Sequence, residues 1–399
     1  MTSRYISQRA TSIPEFAIEH IARLAAAHGA IDLARGAPEF PVPIVVKEAA
    51  VTAILADDNQ YADTRGCQAL REAIADQASL ALGFDVDPEC EVVVTCGATE
   101  AIMAVAMAVL DPGDEVVIFE PFYGHHVVTS HLNGAVLRFV PLRRPDWHFD
   151  FDELAAAFGP RTKALLLNSP HNPTGRVFEQ AELSAIADLC QRWDALCVSD
   201  EIYERLVFDG RRHVSPAQLP GMRDRTIVIG GLSKSHSATG WRVGYVIAPP
   251  VLAVAIGSLH NYLTGGAPAP LQTAAATALR LPRTHYEQLV SRYQGLRDRV
   301  ADTLEGLDFA VYRPEGTFYL LADIAGQPFP DSVDCATSLV TTAGVAVMPG
   351  SAFYQSPADG RSLVRVCFGK AEANIDTALD RLRTVLGRHG KRGLRRHSS

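Results

Sequence analysis

One lysine, Lys234, stands in the run TIVIGGLSKSHSATGWRVGY (226–245), directly after a β-branched stretch and a glycine pair. An amine held at the end of a buried strand, in a partly desolvated cleft, loses proton affinity and becomes a nucleophile toward carbonyl compounds. Lysine is scarce in this chain: the others are Lys47, Lys163, Lys370 and Lys391, on a helix-like run, at strand edges and in a basic tail. Four further side chains could act with it. The run ALCVSDEIY delivers Asp200 and then Tyr203 at the end of an apolar strand. A carboxylate there must meet a cation or a strong donor, and a protonated ring nitrogen would serve. In LLLNSPHNPTG, Asn172 lies between two prolines with its amide free to donate. In LVRVCF, Arg365 alternates with apolar neighbours and so leaves the strand on the opposite face to Val364 and Val366. Such an arginine is either an edge residue or, facing a cleft, a bidentate clamp for a carboxylate.

The elements that must carry these residues are strands alternating with helices from Glu91 onward, the pattern of an α/β fold with a mostly parallel sheet. VVVTCGATEA gives a strand Val92–Thr95, a turn at Gly97 and a helix from Ala98. Its free N–H groups, with Thr99, suit a phosphate, although an ordinary strand-to-helix turn reads the same way. The strand Glu115–Phe119 leads to Phe122 and Tyr123, an aromatic that either stacks on a planar ligand or plugs the core. His125 and His126 lack metal spacing and read as structural or surface residues. Further strands are expected over Lys163–Asn168, Leu196–Val198 and Thr226–Ile229 and within RPEGTFYLLADI, with helices over Ala181–Trp193 and Val333–Ala343. The polar candidates from Thr99 to Tyr203 then fall at the C-terminal end of a strand, where open parallel sheets bind ligands. Two residues carry little weight alone. Gly36, in IDLARGAPEFPVP, is a turn residue or a point of close approach for a carboxylate, and Tyr61 lies in a polar loop between helices at 44–56 and 68–82.

The chain has 399 residues, is 47% hydrophobic and carries a formal charge of −8, enough to bury a large core in more than one lobe and without a basic domain for nucleic acid. No run is long and apolar enough for a membrane span and no secretory leader is evident, so a cytoplasmic enzyme is expected. Seven scattered cysteines without metal-site pairs read as reduced thiols. The organisation expected is an N-terminal arm and lead-in to a small domain (1–45), a large domain (46–282), a small α/β domain (283–387) and a disordered basic tail (388–399).

Taken together, GATEA, PHNPTG, SDEIY, LSKSHSATGWRVGY and the late Arg365 strand resemble the class I/II aminotransferases, pyridoxal 5'-phosphate enzymes of fold type I. The look is nearest to the branch of kynurenine, glutamine and methionine aminotransferases and cysteine-conjugate β-lyases. The resemblance implies that Lys234 holds the cofactor as an aldimine and moves the proton between the substrate and the cofactor. It implies that Asp200 pairs with the pyridinium nitrogen, that Tyr203 and Asn172 bond the ring oxygen, and that Tyr123 stacks on the ring. Gly97, Ala98, Thr99 and Arg242 would hold the phosphate, joined by Tyr61 from a second subunit of a homodimer. Arg365, the Gly36 backbone and Asn172 would bind the α-carboxylate of an amino acid, whose amino group passes to a 2-oxo acid.

Two positions depart from the family pattern: Gly231 stands where a phosphate-binding serine is usual, and the loop TGGAPAP, which in relatives nears the partner's site, is unusually small. Thr99 occupies a place where an acid-specific branch carries lysine, so a neutral or aromatic donor is expected. A lyase, cyclase or oxidase on the same scaffold is the alternative. A non-catalytic regulatory module ranks below both, because only 35 residues precede Gly36, too few for a DNA-binding domain.

Overall fold

The computed structural model describes residues 5–13 and 17–393. Its centre is a seven-stranded sheet in the spatial order Val92–Thr95, Gly244–Ile247, Thr226–Gly231, Leu196–Asp200, Thr162–Asn168, Glu115–Glu120, Val136–Pro141. These strands read as near-continuous apolar runs because helices cover both faces of the sheet, and five of the seven are buried over nearly their whole length. Six run in one direction. Gly244–Ile247 pairs antiparallel with both of its neighbours, a reversal that the sequence pattern did not reveal.

That reversal has a positional consequence. Residues that follow a parallel strand and residues that precede the reversed one lie at the same end of the sheet. The cross-strand register places Thr95, Gly244 and Gly231 side by side. Arg242, two residues before Gly244, is thus brought between the turn after Thr95 and the turn after Gly231.

A second, four-stranded antiparallel sheet has the order Met348–Pro349, Leu363–Cys367, Tyr319–Asp323, Ala310–Tyr312. It shares one apolar core with the helices Ala17–His28, Arg283–Glu305 and Glu372–Gly393. The short strand Ile31–Asp32 pairs in parallel with Val345–Ala346, and the Leu33 carbonyl accepts from Cys367 N at 2.8 Å. The chain from Leu33 to Gly36 is thereby laid beside the Arg365 strand.

Several differences from the sequence expectations are local. RPEGTFYLLADI forms a strand only from Tyr319, since Pro314, Gly316 and the left-handed Thr317 hold its first half as a loop. The helix expected over Val333–Ala343 is α-helical for Ser332–Ser338 and then π-helical for Leu339–Ala343. The last helix runs to Gly393, so the basic stretch expected as a tail from 388 begins inside it, and 394–399 lie outside the described residues. Among the described residues no helix is long and apolar enough to cross a membrane, and no group of metal-binding side chains is present.

The loop that carries Asn172 is fastened by a buried ion pair. Arg176 and Glu182 are each about 5% exposed and bonded to one another, and Glu182 also accepts from Glu179 N at 2.9 Å. The Arg176 carbonyl in turn receives His171 N at 2.9 Å. Removing one member of a buried pair strands the other charge. Glu182→Ala is therefore expected to lower unfolding stability by roughly 3–5 kcal/mol in denaturant titration; a loss below about 1 kcal/mol would show that this pair does not hold the loop.

Candidate active site

Five strand ends and the Arg365 strand converge on one cavity of about 640 Å³. Lys234, Asp200, Asn172, Tyr203, Tyr123, Thr99, Ala98, Arg242, Gly36 and Arg365 all line it. Gly97 sits just behind the wall, and Tyr61 lies elsewhere on the surface, 91% exposed.

Lys234 extends from the turn after Thr226–Gly231 and donates from Nζ to the Gly36 carbonyl at 2.7 Å. Burial, with the nearby Arg365 and Arg242 cations adding to it, pulls its amine down to about 8. At that value the amine is still mostly protonated near physiological pH, but its neutral fraction is far larger than a free lysine's, and the neutral form is the one a nucleophile or proton acceptor uses.

Asp200 is 3% exposed, and its two oxygens are both engaged. Oδ2 lies 2.9 Å from His126 Nε2, and Oδ1 accepts from Ile202 N at 3.2 Å. His126, itself 2% exposed, was read from the sequence as a structural or surface residue. The signal that could have found it is spacing: it lies three residues after Tyr123, in the first turn of the helix Gly124–Leu132, which returns it to the same side. Tyr123 itself packs edge-on to the His126 ring, with centroids 5.2 Å apart.

Arg365 is 4% exposed and makes a forked contact. Nη1 donates to Asn172 Oδ1 at 2.9 Å and Nη2 to the Ala34 carbonyl at 2.8 Å, while Nε has no partner among the described residues. Asn172 is oriented from behind by Asn168 Oδ1, which accepts its backbone N–H at 2.8 Å. With its oxygen on Arg365, the Asn172 amide nitrogen is the end left to donate into the cavity. The Arg365 guanidinium also stacks on Tyr319, 4.1 Å from the ring centroid.

Tyr319 belongs to the site and no sequence motif announced it. Its hydroxyl lies 3.0 Å from that of Tyr203, and burial holds both phenols well above their usual range. It also explains Gly36: a Cβ there would fall 1.7 Å from the Tyr319 hydroxyl, so no side chain fits.

The remaining candidates form a cradle at the start of the helix Ala98–Val109. Gly97 has φ +81, and a Cβ on it would lie 2.5 Å from Arg242 Nη2. Gly244 is equally constrained, since its Cβ would lie 2.6 Å from Ala98 N. Arg242, itself left-handed at φ 54, donates to the Thr239 carbonyl at 2.9 Å and the Cys96 carbonyl at 3.3 Å. Glycines that bring a guanidinium against free helix N–H groups make an anion site. Of the two serines beside Lys234, Ser233 lines the cavity and Ser235 is turned onto His236 Nδ1 at 2.9 Å. At Gly231 a Cβ would stand 3.1–3.2 Å from Gly244 Cα, Ile202 Cδ1 and the Val243 carbonyl, so a serine would press on its neighbours.

This donor set fits pyridoxal 5'-phosphate: an anion cradle, a flat aromatic wall, a buried carboxylate, paired phenols and a proton-poor lysine within one cavity. Comparison with known proteins agrees. The family described as aminotransferase class I and II matches residues 28–382. The chain is 35% identical over 362 residues to the methionine aminotransferase of Escherichia coli (strain K12), covering 91% of this chain and 94% of that protein. It is 39% identical over 377 residues to the probable N-succinyldiaminopimelate aminotransferase DapC of Mycobacterium tuberculosis (strain ATCC 25618 / H37Rv), covering 92% and 94%. The solved structure of the N-succinyldiaminopimelate aminotransferase from Mycobacterium tuberculosis superposes with a TM-score of 0.92 at 37% identity, over 95% of this chain and 99% of that one. Kynurenine–oxoglutarate transaminase 1 of Homo sapiens is 33% identical over 394 residues, covering 90% and 93%.

Lys234 gives this geometry a pH signature. Its folded value, about 8, lies below the 10.5 of a free lysine, so the unfolded chain binds the extra proton between those values and this group's penalty on stability is relieved as pH rises through them. Acylation of Lys234 by a small amine-directed reagent, followed by peptide mass, is expected to rise with a midpoint near pH 8. A midpoint near 10.5 would mean that the cavity does not desolvate the amine.

Proposed function

Because the chain belongs to the class I and II aminotransferases, a family of pyridoxal 5'-phosphate-dependent enzymes, we propose that it moves the α-amino group of a neutral or aromatic L-amino acid to a 2-oxo acid. The observation that carries this reading is the meeting of three groups in one cavity: the proton-poor Lys234 amine, the buried Asp200 carboxylate and the Arg365–Asn172 fork.

When bound, the cofactor supplies the electron-accepting ring that makes an amino acid's α-proton labile. In this proposal Asp200, fixed by His126, pairs with the ring nitrogen. Tyr203 and Asn172 bond the ring oxygen, and Tyr123 forms the stacking wall. Gly97, Ala98, Thr99 and Arg242 take the phosphate. The substrate's carboxylate is received by Arg365, the Asn172 amide and the Gly36 backbone, which fixes which bond at the α-carbon faces Lys234. Lys234 Nζ then accepts that proton and returns it, a role its lowered proton affinity suits.

The donor's side chain would meet Ile102, Phe122, Val127, Val128 and Phe139, an apolar wall that favours a neutral or aromatic group. Homodimerisation belongs to the same proposal, with Tyr61 completing the phosphate site of a second copy. Its support is the patch around Gly265, where Tyr61 lies beside a helix end bearing Tyr262, 89% exposed, and Leu263. The division into an N-terminal arm and lead-in to the small domain (1–45), a large unit (46–282) and a small one (283–387) is proposed on the same footing.

A single-turnover survey tests the reading: cofactor-loaded protein is mixed with each amino acid and the product identified by mass. One 2-oxo acid released per site, without ammonia and lost in Lys234→Ala, is expected for neutral or aromatic donors. Ammonia or an eliminated side-chain fragment would assign the site to a lyase or oxidase instead. Arg365→Ala should lower kcat/KM about 100-fold or more, the cost of leaving a carboxylate without its buried partner. A change within about threefold would remove Arg365 from substrate binding.

A further inference from the structure

The residues lining the cavity hold four cationic side chains, Arg35, Lys234, Arg242 and Arg365, against one carboxylate, Asp200. Three of the four already have work and partners. Lys234 is bonded to Gly36, Arg242 to the turn carbonyls of the anion cradle, and Arg365 to Asn172 and Ala34. Arg35 differs. It lines the cavity and is exposed, so it stands where the cavity meets solvent, and among the described residues its guanidinium has no hydrogen-bond or ion-pair partner.

Its main chain, by contrast, is tightly built. Asp32 Oδ1 accepts the N–H groups of both Ala34 and Arg35 at 2.9 Å. The carbonyl on one side of Arg35, that of Ala34, touches Arg365, and the carbonyl on the other side, that of Gly36, touches Lys234. Since consecutive Cα atoms lie about 3.8 Å apart, Arg35 is rooted within one residue of both the carboxylate clamp and the reactive amine. A guanidinium is a planar fork suited to a carboxylate, and one lining the same cavity as Arg365 is a candidate partner for the far end of a molecule whose near end sits on Arg365.

Resting on the aminotransferase reading, we infer that Arg35 is a subsite for a second, distal carboxylate carried by one of the two substrates. The apolar wall and the Arg35 fork would let one cavity accept a neutral molecule in one half-reaction and a dicarboxylic one in the other. The carrier is then a dicarboxylic 2-oxo acid acceptor, which leaves as the corresponding dicarboxylic amino acid.

The test compares the cofactor-loaded wild type with Arg35→Gln and Arg35→Lys, each half-reaction being followed separately. The acceptor arm pairs 2-oxoglutarate with 2-oxobutyrate, and the donor arm pairs glutamate with norvaline. Because glutamate and 2-oxoglutarate are one couple run in opposite directions, Arg35→Gln is expected to lower kcat/KM about 10-fold or more for both, with the monocarboxylic members unchanged and Arg35→Lys intermediate. Equal rates for Arg35→Gln and wild type in both arms would overturn the assignment. Calorimetric binding of glutarate against butyrate gives a readout that needs no turnover. Glutarate binding weakened about 10-fold in Arg35→Gln would sustain the subsite even if no amino group were transferred, which would overturn the proposed activity alone. Undiminished glutarate binding would overturn the subsite while leaving that activity intact.

Discussion

A carboxylate sealed at the end of a strand is the constraint on which this site depends. Asp200 is removed from water among apolar neighbours, a placement that costs several kcal/mol unless its oxygens are satisfied. His126 and the Ile202 N–H meet that demand from two different elements, the helix after Tyr123 and the turn leading to Tyr203. The same contacts that make the burial tolerable also bring the aromatic wall and the phenol to bear on one point. Around this anion gather cations whose mutual repulsion, added to burial, leaves Lys234 short of its proton.

The direction of one strand decides what can gather there. Were Gly244–Ile247 parallel to its neighbours, Arg242 would begin that strand at the far end of the sheet. Reversed, it delivers Arg242 to the helix start at Ala98 without any crossover. The glycines at 97 and 244 then keep the contact close, because side chains there would occupy the space of the guanidinium or of the helix's first N–H groups.

Much of this was legible in the sequence, for a local reason. A strand, its turn and the polar residue that follows are contiguous, so Asp200, Asn172, Lys234 and Tyr123 could each be placed at a strand end from a short run, and the structure puts them in one cavity. Arg365 was legible as one of two alternatives, and only the pairing of its strand with Tyr319–Asp323 and Met348–Pro349 shows which face it takes. Tyr319 and Arg35 were invisible because their roles come from the packing of distant segments. The sense of Gly244–Ile247 was hidden too, since an apolar run buried on both faces reads the same in either direction. His126 is intermediate: the spacing that places it is present, but a histidine pair without metal spacing reads as structural or surface residues.

The contact between Gly36 and Tyr319 bears on how such a protein can change over generations. The phenol fills the volume that any side chain at 36 would need, and the same phenol packs beneath the Arg365 fork and bonds Tyr203. A lineage can therefore not drift at position 36 first, and shrinking the residue at 319 first would loosen the carboxylate clamp before anything was gained. The two positions form a ratchet: each blocks the other's neutral path, so diversification is pushed outward to the rim, where Arg35 can vary without meeting either.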